Sequence, residues 1–220
     1  MKYLDVPSSG SIADRTHSHN RAGQYTRNRR APVQPPGTGR RAFIRSSFGN
    51  ASTLWASLSF GEQQNWASYA DGHPYTDSLG QAIKLTGHQM YVAINTQLAN
   101  CQALPTSTPP VSDANNNLAP LTVTATAGTP SLSVDWVNGT ADDYALIAFS
   151  RPLSPGRTFP PAFWQAAAVD QATAPYNALS AYVAQFGPLV AGKRIFCKVT
   201  PVNQYGVTGT PVIKMVTVAA

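Results

Sequence analysis

The spacing of apolar side chains divides the chain into three regions. Residues 1–40 show neither a helical nor a strand-like period, and their prolines and glycines disfavour regular structure. Apolar residues recur at helical spacing over 41–103, and the period becomes two after residue 120. The pattern predicts an α+β multidomain chain: an extended N-terminal arm, a small helical unit and an antiparallel β-sheet region.

Residues 41–103 are predicted to form two or three helices. Ser59 with Glu62, and Thr86 with Gln89, have the spacing of capping boxes. In a capping box each side chain accepts a hydrogen bond from the backbone N–H of the other residue. These two pairs therefore mark two predicted helix starts.

Two further features of the helical region affect its interpretation. Gly49 and Asn50 fall inside the first apolar stretch and are expected to interrupt or bend that helix. Trp55, Trp66 and Tyr69 could form a binding stripe, but the core of a small helical unit is the favoured interpretation, because large aromatic side chains dominate such cores.

The region after residue 103 begins with a linker and continues with strands. Residues 104–120 are rich in proline, serine, threonine and asparagine, which predicts a semi-rigid linker. The strand candidates with alternating apolar positions are 121–127, 131–137, 144–150, 194–202 and 212–218. The alanine-rich segment 159–186 is interpreted as an insertion, with a short helix from Pro161 to Val169. Residues 121–220 are thus predicted to form a β-sandwich.

The formal net charge of +6 is unevenly distributed. Residues 1–45 carry Lys2 and eight arginines against two aspartates, whereas the other 175 residues carry seven basic and eight acidic side chains. A segregated basic arm predicts a specific contact, because guanidinium groups form paired hydrogen bonds with carboxylates or phosphates. The candidate partner-binding residues of the arm are Arg15, Arg21, Tyr25, Arg27, Arg29, Arg30, Arg40 and Arg41.

Two kinds of partner would suit this arm. One is an acidic protein lattice; the other is nucleic acid, where neutralised phosphates release counterions and make binding salt-sensitive. Direct base reading is not indicated, because no recognised nucleic-acid-binding motif accompanies the basic residues. A protein partner is favoured, since a β-sandwich is a typical surface module. A fully extended arm of ~40 residues would reach on the order of 100 Å.

The residues predict no catalytic, cofactor or metal site, and the chain is interpreted as non-enzymatic. His17, His19, His73 and His88 have no carboxylate or cysteine at ligand spacing. The PPGTGRR stretch lacks the spacing of a phosphate loop. Adjacent carboxylates at 142–143 are better explained by a solvated turn than by acid–base chemistry, because neighbouring strand residues point to opposite faces.

Cysteine content and hydropathy suggest an intracellular site of synthesis. Cys101 and Cys197 form no CxxC pair, so a reducing compartment is expected, although the two could also pair with each other. No apolar run approaches the roughly 20 residues that span a bilayer. The predicted location is the cytoplasm or an assembly built there.

A second contact is predicted in the alanine-rich segment. Phe159, Phe163 and Trp164 are candidate subunit-interface residues, because exposed aromatic side chains mark interfaces.

Residues 120–220 resemble a fibronectin type III or immunoglobulin-like sandwich. The resemblance is carried by SLSVDWV, which ends at Trp136, and by RIFCKVTPVNQYGVTG. It implies that Trp136 packs between two sheets and that Asn203 to Gly206 form the turn before the last strand. The fold hosts many unrelated roles, so it implies no particular function.

Residues 20–103 resemble uncharacterised structural proteins of tailed bacteriophages and prophages. The resemblance is carried by GQYTRNRRAPVQP, LWASLSFGEQQNWASYA and DSLGQAIKLTGHQMYVAINTQLANCQ. It implies a virion component assembled in the host cytoplasm, with the major capsid protein or other virion proteins as partners and a homo-oligomeric arrangement in the particle. Capsid decoration or cementing is the expected role. A neck or tail component, a virion protein that grips packaged nucleic acid, and a carbohydrate-binding attachment module stay open.

Overall fold

The structure is a computed structural model, and the residues it describes are 10–12, 15–20, 23–28, 39–76 and 81–220. The chain divides into two compact units, Met1–Phe43 and Ile44–Ala220. The second unit contains most of the helical region, the segment that follows it and the β-sandwich. These three parts therefore belong to one compact body.

The described part of the arm is a three-stranded antiparallel sheet in the order β1-β2-β3. Its strands are β1 (Gly10–Ile12), β2 (Arg15–Asn20) and β3 (Gly23–Asn28). Only two residues separate β2 from β3, the commonest length of a hairpin connection. The described strands therefore have an extended backbone, and they pair with one another. The sequence did not predict this pairing, because backbone hydrogen bonds form without an apolar period of two.

The predicted helical unit is confirmed, and it contains α1 (Gly39–Trp55), α2 (Phe60–Gly72) and α3 (Gly87–Asn100). Both capping boxes are present. The Ser59 N–H donates to Glu62 Oε2 at 2.8 Å, and the Thr86 N–H donates to Gln89 Oε1 at 2.9 Å. Between α2 and α3, a two-residue ladder pairs β4 (Tyr75–Thr76) with β5 (Ala82–Ile83).

Helix α1 is continuous through Gly49 and Asn50, so the predicted interruption is wrong. Both residues are exposed, and Thr53 Oγ1 donates to the Gly49 carbonyl at 3.0 Å. An exposed glycine in a helix costs about 1 kcal/mol relative to alanine, which weakens the helix without breaking it.

Trp55, Trp66 and Tyr69 belong to the core of the helical region, which confirms that interpretation. Trp66 is completely buried, and its ring lies edge-on to Tyr91 with the ring centres 5.3 Å apart. Trp55 and Tyr69 pack against the same cluster, together with Leu98.

The C-terminal region is the predicted antiparallel β-sandwich. Its three-stranded sheet has the order β10-β7-β6 and its four-stranded sheet the order β12-β11-β8-β9. The strands are β6 (Leu121–Thr126), β7 (Ser131–Trp136), β8 (Tyr144–Ser150), β9 (Phe163–Asp170), β10 (Tyr176–Asn177), β11 (Arg194–Val202) and β12 (Val212–Thr217). A constant-type immunoglobulin sandwich also has seven strands in two sheets.

The sandwich core lies between the two sheets. Trp136 is buried there, as expected, and its Nε1 donates to the Gln171 carbonyl at 2.9 Å. The turn after β7 passes close to the same carbonyl. A Cβ on Gly139 would lie 2.2 Å from the Gln171 oxygen, so any larger residue would push that oxygen away from Trp136. Position 139 therefore has to be a glycine, because the Gln171 carbonyl lies too close to leave room for a side chain.

Much of the segment 159–186 belongs to the sandwich, and the helix predicted from Pro161 to Val169 is wrong. The chain forms β9 there, paired with β8 from Tyr144↔Asp170 to Ser150↔Phe163. Its alanines gain backbone pairing beside the buried strand β8, which outweighs their helical preference. The helix of this segment comes later, as α4 (Leu179–Phe186).

The connecting segment 104–120 has no helix or strand, but its backbone is held by side chains from both neighbours. Trp66 Nε1 donates to the Ser107 carbonyl at 2.8 Å. Asn203 Nδ2, from the turn after β11, donates to the Ser112 carbonyl at 3.0 Å. The segment is thus fastened to the helical core at one end and to the sandwich at the other.

Candidate interaction surfaces

The whole formal net charge of the chain belongs to its first unit. Met1–Phe43 carries Lys2 and seven arginines against Asp5 and Asp14, whereas Ile44–Ala220 carries eight basic and eight acidic residues. The first unit therefore holds the full +6.

The arm sheet places three of the predicted partner-binding residues on two paired strands. Arg15 lies in β2, and Tyr25 and Arg27 lie in β3. Arg15 pairs with Asn28 and Thr16 pairs with Arg27, so the two arginines lie at adjacent register positions of neighbouring strands. The predicted arm residues that lie outside the described part are Arg21, Arg29 and Arg30.

The last two predicted arm residues, Arg40 and Arg41, lie exposed in the first turn of α1. The guanidinium of Arg40 lies 5.6 Å from the ring centre of Phe43, and partial burial lowers the pKa of Arg40. That turn contains no acidic residue, although the helix dipole favours negative charge at its N-terminus. The two cations add to the positive field there and favour an anionic partner.

The three aromatic residues of the predicted subunit contact do not form one exposed stripe. Phe159 is 77% exposed, whereas Phe163 and Trp164 are half-buried at the start of β9. Lys198 Nζ lies 5.4 Å from the ring centre of Phe163, and the Trp164 ring packs edge-on against Phe186 at 5.8 Å. Successive strand residues face opposite sides. Trp164 therefore belongs to the packing of the sandwich, and Phe163 lies on its outer surface.

Three titratable side chains meet where α2 ends, a cluster that the sequence did not predict. The Tyr69 hydroxyl donates to Asp113 Oδ1, and His73 Nε2 lies 2.6 Å from Asp113 Oδ2. The other ring nitrogen of His73 faces the Tyr69 carbonyl at 2.8 Å. Burial and the hydrogen bond to Asp113 raise the pKa of Tyr69, so the phenol stays a neutral donor. The cluster fastens α2 to the connecting segment.

The adjacent carboxylates at 142–143 lie at a turn, as expected. Asp143 Oδ2 accepts hydrogen bonds from Thr140 Oγ1 at 2.8 Å and from Asn116 Nδ2 at 3.0 Å. Its Oδ1 accepts from the Gln204 N–H at 2.8 Å. Asp143 therefore joins the turn before β8, the connecting segment and the turn after β11.

Cys101 and Cys197 are free thiols, and both are buried. Burial raises the pKa of each to about 12, so neither is a thiolate at neutral pH. Because the thiolate is the reactive form, we expect the folded chain to react with less than about a tenth of an equivalent of a thiol reagent at pH 8. Ellman's assay should detect two thiols after unfolding in guanidinium. Rapid labelling of the folded chain would contradict this burial.

Within the described ranges, no three His, Cys, Asp or Glu side chains lie close enough together to hold a metal ion. His88 instead lies 3.2 Å from the Ser52 hydroxyl. In the same part of the chain, no helix is long and apolar enough to cross a membrane.

No protein-family model, curated protein or solved structure matches the chain. The sandwich fold supports many unrelated roles. Function is therefore inferred from the charge, burial and geometry of the surfaces.

Proposed function

We propose that this chain is a structural component of a phage virion, and specifically a capsid decoration or cement protein. Its basic arm, residues 1–40, would bind across neighbouring capsid subunits, and the second unit would sit on the outside of the shell. The observation that carries this proposal is the confinement of the net charge of +6 to Met1–Phe43, beside a larger unit without net charge.

Arginine chemistry supports a multivalent contact with carboxylates. Seven of the eight cations in the first unit are arginines, whose planar guanidinium groups bind carboxylates through two parallel hydrogen bonds. Each exposed ion pair contributes only about 0.2–1 kcal/mol. A repeating lattice would present many such pairs together, and their avidity would exceed the affinity of any one.

The arm sheet changes how far this contact would extend. A six-residue strand spans only about 20 Å. Because β2 and β3 fold back on each other, the described part of the arm is a compact basic sheet. We therefore expect it to bridge subunits that adjoin its docking point, instead of lying as a cord across distant ones.

The test uses DNA-free shells from the phage that encodes this chain. Co-sedimentation with those shells, and weak binding to random-sequence DNA at 150 mM salt, is the expected result. Tight DNA binding whose affinity falls steeply with salt, with no shell binding, would instead favour a virion protein that holds the packaged genome. Binding to isolated necks or tails but not to shells would favour a component of those parts.

A further inference from the structure

The outer face of the four-stranded sheet is apolar at one end. In β11, Ile195, Cys197 and Val199 are buried in the sandwich core. Alternate residues of a strand point to opposite sides. Phe196 and Lys198 therefore face away from the core, although Phe196 is itself covered and only 5% exposed.

Neighbouring strands extend this outward face. Met215 pairs with Phe196, and Ile213 pairs with Lys198. Met215 is 39% exposed and Ile213 46% exposed. On the other side, Lys198 reaches across the ring of Phe163. The result is an apolar surface with one cation at its centre.

The other end of the same face is already occupied by the helical region. Cys101, just after α3, packs against Leu146 and Val202 of the sheet. Asn100 and Gln165 exchange hydrogen bonds of 3.4 and 3.1 Å. Within the described residues, the face thus has one end covered by its own chain and one end open around Met215 and Ile213.

The open end carries two cations, Lys198 and Arg194, which alternate with the core residues of β11. Between Tyr144 and Ala220 the chain has six basic residues and only one acidic residue, Asp170, which ends β9 at the opposite end of the sheet. Arg194 donates from Nη1 to the Arg157 carbonyl at 3.2 Å. Its Nε is buried and has no hydrogen-bond partner among the described residues.

We propose that this surface, formed by Phe163, Arg194, Lys198, Ile213 and Met215 around the buried Phe196, docks an acidic protein surface with an apolar centre. The proposal rests on the proposed function, because the acidic partner would be the shell that also binds the arm. An apolar centre with a charged rim is the usual anatomy of a protein interface. A second copy of the chain would bring cations against cations, and nucleic acid would leave Ile213 and Met215 uncovered.

The test compares four full-length proteins: the unaltered chain, Ile213→Ser with Met215→Ser, Lys198→Glu, and a control, Lys84→Glu. Lys84 is exposed, pairs with exposed Asp71 and lies just before α3, so the control has the same charge change outside the docking surface. Thermal unfolding checks that all four are folded. We expect the double variant and Lys198→Glu each to bind DNA-free shells about tenfold more weakly, and the control to bind as the unaltered chain does. A tenfold loss is typical of interface residues that contribute to binding without dominating it.

A footprint on Met215 provides a second readout. Hydrogen peroxide oxidises exposed methionines, so bound partner should slow sulfoxide formation at Met215 about fivefold or more, while half-buried Met90 of α3 is unaffected. The footprint is repeated with a synthetic peptide of alternating glutamate and leucine, which does not depend on the virion. Protection by this peptide in the unaltered chain, and its loss in Lys198→Glu, is the expected result.

The outcomes separate the two proposals. Protection of Met215 by the peptide without any shell binding would overturn the virion role and support the docking surface. Shell binding with unchanged Met215 oxidation, and with variants that bind as the unaltered chain does, would overturn the docking surface alone. Protection of Met215 at high protein concentration with dimers in sedimentation would assign the surface to a second copy. Protection of lysines by DNA without protection of Met215 would also overturn it.

Discussion

Removal of residues 1–38 is expected to weaken binding to DNA-free shells about 100-fold, if each lost ion pair contributes within the usual range for exposed pairs. The deleted stretch contains Lys2 and five of the eight arginines of the basic region. Because no single pair dominates, the loss should accumulate with the number of cations removed. The binding that is left would come from Arg40, Arg41 and the sheet surface around Lys198.

The position of this truncation makes the result interpretable. Residue 39 begins α1, so the cut removes the arm sheet and leaves every helix and strand of the second unit whole. Circular dichroism should show an unchanged helical signal, and equilibrium sedimentation with shells gives the affinity. A full-length variant with Arg40→Glu and Arg41→Glu should lie between the intact and truncated proteins, and Lys84→Glu should bind normally. If the truncated chain bound as tightly as the intact one, the arm would have no part in assembly.

Local rules explain the elements that the sequence predicted well. A capping box involves residues three apart, so Ser59 with Glu62 and Thr86 with Gln89 identified their helix starts without any tertiary information. The alternating period in SLSVDW likewise predicted β7, and the resemblance to an immunoglobulin-like sandwich implied that Trp136 is buried there. In both cases the interaction that fixes the structure lies within one turn or one strand.

Non-local pairing explains what the sequence could not show. The stretch FWQAAAVD has the composition of a helix, yet it pairs with β8 because that strand presents an open edge to it. The arm lacks an apolar period, yet its backbone pairs β2 with β3. Tyr69 and Asp113 are 44 residues apart in the sequence, and no local pattern predicts that their side chains form a hydrogen bond. Each of these depends on a register that only the folded chain defines.

The basic arm and the docking surface also differ in how far the sequence predicts them. The basic arm is visible in the sequence, since charge segregation needs only a count along the chain. The docking surface needs the register of β11 with β12, which brings Met215 beside Phe196 and Ile213 beside Lys198. The scarcity of acidic residues after residue 143 was a signal in the sequence, but only the strand register shows that Arg194 and Lys198 lie on one apolar face.

Replacement of Trp66 by alanine is expected to destabilise the second unit by about 3–5 kcal/mol, the range for removal of a large buried aromatic side chain. Trp66 is completely buried and lies edge-on to Tyr91 and Tyr69. Its Nε1 also holds the connecting segment through the Ser107 carbonyl at 2.8 Å. The substitution would thus leave a cavity in the helical core and free the segment that joins this core to the sandwich.

Two companion variants separate the parts of this effect in urea unfolding followed at 222 nm. Trp66→Phe keeps most of the apolar volume but loses the Nε1 donor. We expect it to lower the free energy of unfolding by more than the loss of one hydrogen bond, which contributes about 0.5–1.5 kcal/mol. Phe60→Ala removes an aromatic ring that is 77% exposed at the start of α2, and it should change stability by less than about 0.5 kcal/mol. A cost below about 1 kcal/mol for Trp66→Ala would mean that the helices do not depend on this core. A separate early transition of the helical signal, with the sandwich still folded, would show instead that the connecting segment does not couple the two parts into one cooperative unit.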